Sequence, residues 1–154
     1  MRELYVIDTN AIISFFDSVF KQSKKYSRLQ PLSKKASSLI QEALISYETT
    51  IRLSIPTIVF IEIYEKWLIS EEFCMIFYHE VFIPIVNSPN IEIKPIDKEV
   101  LENLLYIGDK MQNHDLHDRL VIASAKSLNV PLITSDRAIN RFISQSNIVP
   151  HFTN

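Results

Sequence analysis

Four acidic residues, spread along the whole chain, are of the right type to bind a divalent metal ion together. Asp8 directly follows the apolar run of residues 4–7, and Asp136 follows a second apolar run near the end of the chain. The carboxyl ends of parallel strands meet at one edge of a sheet, so these two carboxylates should lie close together if their strands are neighbours. Glu62 and Asp118 complete the set. Carboxylate oxygens suit Mg²⁺ and Mn²⁺, so the set would support metal-assisted chemistry.

Each of these acids also has an ordinary structural explanation. An Asp after a strand often caps the next helix, which applies to the first and the last of the four. Asp118 comes three residues after Asp115, a spacing typical of a capped helix start, where the helix dipole also favours acids. Glu62 could form a surface ion pair with Lys66, four residues on, although the apolar residues around Glu62 argue against a solvated position. The pattern by itself leaves both explanations open.

The elements that would position the acids alternate between short apolar strands and amphipathic helices. Strands are predicted at residues 4–7, 51–55, 91–94, 131–134 and, as a possible last strand, 148–149. Helices are predicted to begin near residues 11, 33, 57, 71, 97, 116 and 136, with Pro56 and Thr57 as turn and cap for the third and Asp97 as cap for the fifth. This alternation predicts a three-layer α/β/α sandwich with a mostly parallel central sheet, folded as a single domain over residues 1–154. Gly108 is the single glycine, which excludes glycine-rich phosphate-binding loops.

A basic segment between the first two acids is a candidate nucleic-acid-binding edge. The whole chain has a net charge of −2, but residues 18–41 contain no Asp or Glu. The side chains of this segment that could contact phosphates are Lys21, Lys24, Lys25 and Arg28. A solvated helix face and loop would explain the same run of charge.

The composition is that of an ordinary globular protein. The chain has 154 residues, of which 47% are hydrophobic and 22% charged. Its single cysteine, Cys74, cannot form an internal disulfide and lies in an apolar stretch, so we expect a buried thiol. We recognise no signal peptide and no apolar stretch long enough to span a membrane. These features lead us to expect a protein of the reducing cytoplasm.

Four motifs, in order, resemble those of PIN-domain nucleases. They are Val-Ile-Asp-Thr-Asn at residues 6–10, Pro-Thr-Ile-Val-Phe-Ile-Glu-Ile at 56–63, His-Asp-Leu-His-Asp-Arg-Leu-Val-Ile-Ala-Ser-Ala at 114–125 and Val-Pro-Leu-Ile-Thr-Ser-Asp at 130–136. The resemblance covers nearly the whole chain, and it is strongest to the VapC-type toxins of toxin–antitoxin pairs. Two features differ from a typical VapC toxin: a longer stretch between the first two motifs, and Leu116-His117 where Pro-Phe is common.

This resemblance implies a Mg²⁺- or Mn²⁺-dependent endoribonuclease. Its metal ligands and catalytic residues would be Asp8, Glu62, Asp118 and Asp136. Asp8 would be the central ligand, and Asp118 would complete the primary site. Glu62 and Asp136 would bind a second metal or orient water. Asn10 and Thr134 would hold the carboxylates in position, as residues behind a metal ligand commonly do.

Several alternatives and partners remain at this stage. His114 and His117 could instead bind Zn²⁺ with Asp118, although no cysteine joins them. A catalytically silent PIN-like module that binds RNA or a protein is the alternative function, and the Thr-Ser-Asp that closes the late strand disfavours a phosphatase or receiver domain. The family resemblance implies an RNA substrate and, for a toxin, an antitoxin partner. The apolar helices at residues 58–68 and 73–86 could form a homodimer or antitoxin surface, or simply pack in the core.

Overall fold

The computed structural model describes residues 2–27, 29–111 and 114–153, and in this part of the chain four strands form a parallel sheet. In chain order the strands are β1 (Glu3–Ile7), β2 (Ile51–Pro56), β3 (Ile91–Lys94) and β4 (Leu132–Ile133). Their order across the sheet is β3-β2-β1-β4, and each neighbouring pair is parallel. β1 therefore lies beside β4, although more than a hundred residues separate them in sequence.

Helices cover the sheet and complete a three-layer α/β/α sandwich, since parallel strands need crossover connections that are usually helical. They are α1 (Thr9–Phe15), α2 (Asp17–Phe20), α3 (Lys34–Ile45), α4 (Thr57–Lys66), α5 (Glu71–Phe77), α6 (Ile83–Asn87), α7 (Lys98–Ile107), α8 (Leu116–Leu128) and α9 (Arg137–Ser146). A π-helical turn, Tyr78–Phe82, joins α5 to α6, and a 3₁₀ turn, Gly108–Met111, follows α7. The predicted fold class is confirmed, with a sheet that is parallel throughout its described strands.

The core is centred on β1 and α8. Val6 and Ile7 of β1 are fully buried, as expected for a strand covered on both faces. α8 packs against β1, α4 and α7. Ala123 and Ala125 of α8 are also fully buried, and their small side chains let the helix lie close to its neighbours. This packing fixes the start of α8, which carries Asp118, relative to the end of β1.

Several predicted elements differ from the structure. Residues 148–149 do not form a strand, so that prediction was wrong, and β4 is limited to two residues. The last helix continues three residues beyond the predicted end at residue 143, to Ser146, where Asn147 adopts a left-handed conformation. Thr57 does not cap α4: its hydroxyl donates to the Lys94 carbonyl oxygen at 2.9 Å, and Pro56 occupies the N-cap position.

The long apolar helix predicted at residues 71–86 is one nearly continuous helical segment with a π-helical turn in its middle. Pro84 follows that turn, and because proline has no N–H, the regular backbone ladder cannot continue through it. Cys74 is only half-buried, with its Sγ 3.8 Å from the Leu68 carbonyl oxygen, so the expected fully buried thiol is not found. Within the described residues, none of the helices combines the length and the apolar character needed to cross a bilayer.

Candidate active site

The neighbouring strands β1 and β4 bring the first and the last acid to the same edge of the sheet. The backbone N–H of Asp8 donates to the carbonyl oxygen of Ile133 at 3.2 Å, which continues the β1–β4 pairing up to the acid itself. The Thr134 hydroxyl then donates to Oδ2 of Asp8. The oxygen of the same hydroxyl accepts a hydrogen bond from the backbone N–H of Asp136 at 3.0 Å. Thr134 therefore links the two acid-bearing loops directly.

Asp8 is a buried carboxylate with an unusual proton affinity. Its side chain also caps α1, since the Ala11 N–H donates to Oδ1 at 2.8 Å. Burial raises the pKa of Asp8 to about 7, and the negative charges of Asp136 and Asp118 add to the rise, while the hydrogen bonds from Thr134 and Ala11 oppose it. At neutral pH the site therefore holds a carboxyl group that a bound cation would convert fully to its ionised form.

Asp118 lies in the first turn of α8, where the cap on that helix holds its backbone. Its N–H donates to Oδ1 of Asp115 at 2.9 Å, which confirms the capping expected from the spacing of these two residues. Burial raises the pKa of the Asp118 carboxyl group to about 6; the nearby charges of Asp115, Asp136 and Glu62 add to this rise, and His114 opposes it. Asp118 therefore interacts electrostatically with all three of the other predicted ligands, Asp8, Glu62 and Asp136.

Glu62 approaches the same region from α4. Its side chain is only 11% exposed, yet Lys66 Nζ lies 3.0 Å from its Oε2. The expected ion pair is present, but the carboxylate is buried rather than solvated. The hydrogen bond to Glu62 raises the pKa of the Lys66 ammonium group, and the charges of Asp115 and Asp118 contribute to the same shift. Lys66 therefore supplies positive charge beside the acids.

Asp136 has both a structural and an electrostatic role. It caps α9, because the N–H groups of Ala138 and Ile139 donate to its Oδ1 at 2.8 and 3.1 Å. Both of these bonds go to the same oxygen. The charge of Asp136 also raises the pKa of Asp8 and of Asp118, so the carboxylate faces the other acids as well as capping its helix.

Three of the four predicted acids border an open cavity of about 280 Å³, and Asp8 is buried directly before its lining residues Thr9 and Asn10. Its lining residues are Thr9, Asn10, Ile13, Leu29, Glu62, Lys66, Trp67, Asp115, Asp118 and Asp136. A larger cavity of about 630 Å³ shares Leu29 with it, and among its described lining residues Asp17 is the only acid. The carboxylates thus collect in the smaller cavity. Acids that raise one another's pKa are held together against their mutual repulsion, and a divalent cation with a preference for oxygen ligands fits such a group.

A protein-family model of the PIN domain matches residues 5–143 of the sequence. The chain belongs to the PIN-domain family. PIN domains are typically nucleases, and the match includes the four acids that the sequence motifs singled out. A search of the curated proteins found no match.

Solved structures of other PIN-domain proteins have the same fold. One is the structure of VapBC2 from Rickettsia felis bound to a DNA fragment from the VapBC2 promoter. It has a TM-score of 0.61 at 15% identity, over 95% of this chain and 96% of that one. VapBC-1 from nontypeable Haemophilus influenzae has a TM-score of 0.59 at 15% identity, over 92% and 93% of the two chains. The FitAcB structure from Neisseria gonorrhoeae has a TM-score of 0.57 at 18% identity, over 97% of this chain and 96% of that one. At these identities the similarity establishes the PIN fold.

The PIN fold brings the predicted metal ligands together but leaves most of the basic residues outside the acidic cavity. Asn10 lines the cavity, and Thr134 contacts Asp8. Lys21 forms an ion pair with Asp17 at 3.0 Å, and Lys24 and Lys25 are exposed in the turn after α2. Arg28 lies outside the described residues.

Three side chains of the cavity region were not assigned to the site from the sequence. Asp115 was interpreted only as a cap, and Lys66 only as a surface partner, because their sequence spacing explains those roles completely. His117 was paired with Asp118, but the structure places it beside Glu62 and Asp115, at 3.7 and 4.0 Å, while His114 Nδ1 lies 3.7 Å from Asp118 Oδ2. The Asp-x-His spacing at residues 115–117 was the available signal, since it places both side chains at one helix start.

Proposed function

We propose that this PIN-domain protein is a Mg²⁺- or Mn²⁺-dependent endoribonuclease. The single observation that supports this most strongly is the environment of Asp8. It is a buried carboxyl group with a pKa of about 7, whose charge interacts with those of Asp118 and Asp136, and these two acids line an open cavity. A purely structural cap gains nothing from such an environment, whereas a cation ligand does, because the bound cation offsets both the burial and the repulsion.

In this proposal the four acids have two different roles. Asp8 and Asp118 are the primary metal ligands, and Glu62 and Asp136 hold a second ion or orient the attacking water. Bound divalent ions would polarise the scissile phosphate and lower the pKa of a water molecule. Thr134 keeps the Asp8 carboxylate aimed at the site through its hydroxyl, and Asn10 borders the cavity where a phosphate would enter.

The proposal extends to the RNA-binding edge. Leu29 of the basic segment lines the acidic cavity, and the ring of Tyr26 lies 6.5 Å from that of Trp67, another lining residue. The segment that carries Lys24 and Lys25 therefore borders the site. We propose that these lysines, with Lys21 and Arg28, contact phosphates of the RNA outside the cleavage point.

We further propose that the chain, acting as a single domain over residues 1–154 in the cytoplasm, is the toxin of a toxin–antitoxin pair and forms a homodimer. The similar VapBC and FitAB structures support a partner protein. α4 and α5 expose Ile61, Tyr64 and Met75 while burying other apolar residues such as Ile63 and Phe73. Exposed apolar side chains on adjacent helices are typical of a protein-binding surface.

The decisive experiment compares the wild-type protein with Asp8→Asn. We expect wild-type protein to cleave single-stranded RNA with Mn²⁺ and not with EDTA. The variant should fold, as judged by circular dichroism, but should neither cleave RNA nor bind Mn²⁺ in calorimetry at wild-type affinity. Cleavage by Asp8→Asn, or wild-type cleavage in EDTA, would refute the metal mechanism. Mn²⁺ binding without cleavage of any RNA would favour a silent binding module instead.

A further inference from the structure

His117 lies among carboxylates, two of which, those of Glu62 and Asp115, line the acidic cavity. Its Nδ1 lies 3.7 Å from Oε2 of Glu62 and 4.0 Å from Oδ2 of Asp115. One ligand atom from each of the three residues lies within 4.8 Å of the other two. Ligand atoms around a single zinc ion are about 3.4 Å apart, given bond lengths near 2.1 Å, so small side-chain rotations would close the three residues on one cation.

The surroundings of the second ring nitrogen of His117, Nε2, support a role as a metal ligand. His117 Nε2 lies 3.7 Å from Oε2 of Glu65, one turn further along α4 than Glu62. A histidine that binds a metal through one ring nitrogen usually directs its other N–H at a carboxylate, which fixes the tautomer. Glu65 is placed to do this, and it leaves the Nδ1 lone pair directed between Glu62 and Asp115.

The cap on α8 does not interfere with this arrangement. Asp115 accepts the Asp118 N–H through Oδ1, whereas Oδ2 is the oxygen nearest to His117. Asp115 can therefore keep its helix capped and bind a cation at the same time. Lys66 would compete with a metal ion for Glu62, because its Nζ lies 3.0 Å from the same Glu62 oxygen that is nearest to His117. The Lys66 side chain is half-exposed and can turn into solvent.

We propose that His117, Glu62 and Asp115 form a transition-metal site, with Zn²⁺ as its preferred ion, that does not include Asp8. An imidazole with two carboxylates suits Zn²⁺ and disfavours Mg²⁺, which takes oxygen ligands and retains its waters. The site shares Glu62 with the proposed catalytic cluster, so zinc at the rim withdraws Glu62 from that cluster. Zinc binding itself does not depend on the protein being a ribonuclease.

The test measures Zn²⁺ binding to the full chain by calorimetry, with nitrogen chemical shifts of the histidine rings recorded in parallel. We expect His117→Gln to weaken zinc binding more than about tenfold, and Glu65→Gln to weaken it about tenfold. Lys66→Gln should tighten it, since the competing ammonium group is removed. In the wild-type spectrum, zinc should shift the ring nitrogens of His117 and not those of His114.

Two control variants separate this site from its alternatives. His114→Gln removes the other nearby imidazole. Asp8→Asn disables the proposed catalytic cluster, whose carboxylates can also bind Zn²⁺, so the comparisons of zinc affinity are made in the Asp8→Asn background. There His114→Gln should bind zinc within about twofold of Asp8→Asn alone, and zinc should still shift the His117 ring nitrogens in both variants. Loss of that shift, or undiminished zinc affinity when His117→Gln is added to Asp8→Asn, would overturn the proposal. An absence of RNA cleavage alongside zinc binding at His117 would remove only the ribonuclease proposal.

Discussion

At Asp8 the two explanations that the sequence left open do not exclude each other, because each carboxylate oxygen has a different partner. Oδ1 accepts the Ala11 N–H and begins α1, while Oδ2 accepts the Thr134 hydroxyl and faces the acid cluster. Asp136 resembles Asp8 in this respect, because it caps α9 through Oδ1 alone. Helix capping and metal binding are therefore compatible at the residues that begin these helices.

The raised pKa of Asp8 makes the metal-free protein less stable as pH rises. The pKa is about 7 in the folded chain against 3.8 for an unperturbed Asp, so between these values the folded state binds more protons than the unfolded state. The free energy of unfolding therefore falls from about pH 4 to about pH 7. Asp8→Asn removes this penalty, and we expect it to stabilise the protein by about 1–3 kcal/mol at pH 8 in EDTA, and by much less at pH 4.5.

Urea unfolding of both proteins at the two pH values measures this difference. Saturating Mn²⁺ should abolish or reverse the advantage of Asp8→Asn at pH 8, since only the wild type gains stability from the ion. An advantage that is the same at pH 4.5 and pH 8 would contradict the assigned cause.

Thr134→Val tests the link between β1 and β4. The hydroxyl donates to Asp8 and accepts from the Asp136 N–H, so its loss should destabilise the protein by about 1–2 kcal/mol. Because the Thr134 hydrogen bond lowers the pKa of Asp8, that pKa should rise further, and Mn²⁺ binding at neutral pH should weaken.

Calorimetric Mn²⁺ affinity, together with urea unfolding, measures this effect. Ser88→Ala is a matched control, because it removes a buried hydroxyl that donates to the Ala43 carbonyl oxygen at 2.7 Å, in the α3–β3 region of the fold. It should lower stability and leave Mn²⁺ affinity unchanged. Equal loss of affinity in the two variants would show that Thr134 acts only through general stability.

At the scale of the elements, α8 places its functional residue because both of its ends are defined. Asp115 caps its start, and Asn129 ends it in the left-handed conformation with φ of 53°. Both residue types are favoured at these positions, since a short polar side chain satisfies free N–H groups and Asn tolerates positive φ. The orientation of Asp118 then follows from its place in the first turn.

Asp115→Ala should destabilise the protein by about 1 kcal/mol relative to Asp115→Asn, because only the latter keeps an oxygen for the Asp118 N–H. Asp115→Asn should be at least as stable as the wild type, since it also removes the like charge that raises the pKa of Asp118. Urea unfolding of the wild type and the two variants checks this order of stability. Ser70→Ala, at the cap of α5, should lower the free energy of unfolding by a similar amount without altering Mn²⁺ affinity. Equal stability of the Ala and Asn variants would contradict the capping role.

At the scale of the whole molecule, positive and negative charges are concentrated in different regions, although the net charge is small. The chain has a net charge of −2, yet the segment at residues 18–41 carries only positive formal charges and borders the acidic cavity through Leu29. A polyanion could therefore be held at this segment while the acids face its scissile phosphate. This segment lies in the long connection between β1 and β2, one of the two features in which the sequence differs from a typical VapC toxin.

Reversal of Lys24 and Lys25 to Glu tests this arrangement in the Asp8→Asn background, where RNA is not cut. If both lysines contact phosphates, RNA affinity should fall and the slope of log affinity against log salt should become shallower by about 1.4. The control reverses Lys98 and Lys110, which lie outside the basic segment. Fluorescence anisotropy with a labelled RNA gives the slopes, and an unchanged slope for the Lys24 and Lys25 variant would assign the segment to a solvated surface.

Local pattern was enough to predict most of the fold. Buried parallel strands are short continuous apolar runs, and helices have a distinct period and recognisable caps, so β1, β2 and α8 could be located closely from the sequence. The failures lie where tertiary contacts override local preference. Residues 148–149 have the composition of a strand, but Val149 is buried in the core without joining the sheet, in which β4 is an edge strand paired with β1.

The sequence by itself determined the fold class, the family motifs and the identity of the four acids, because each depends on residue types and spacings within a short segment. Only the tertiary structure decided that Thr134 bonds to Asp8, that the Glu62 carboxylate is buried, and that His117 faces Glu62 and Asp115 rather than Asp118. Those contacts join α4, α8 and two strands that are far apart along the chain. The direction of a side chain across such a junction is fixed by the packing of whole elements, which no local spacing encodes.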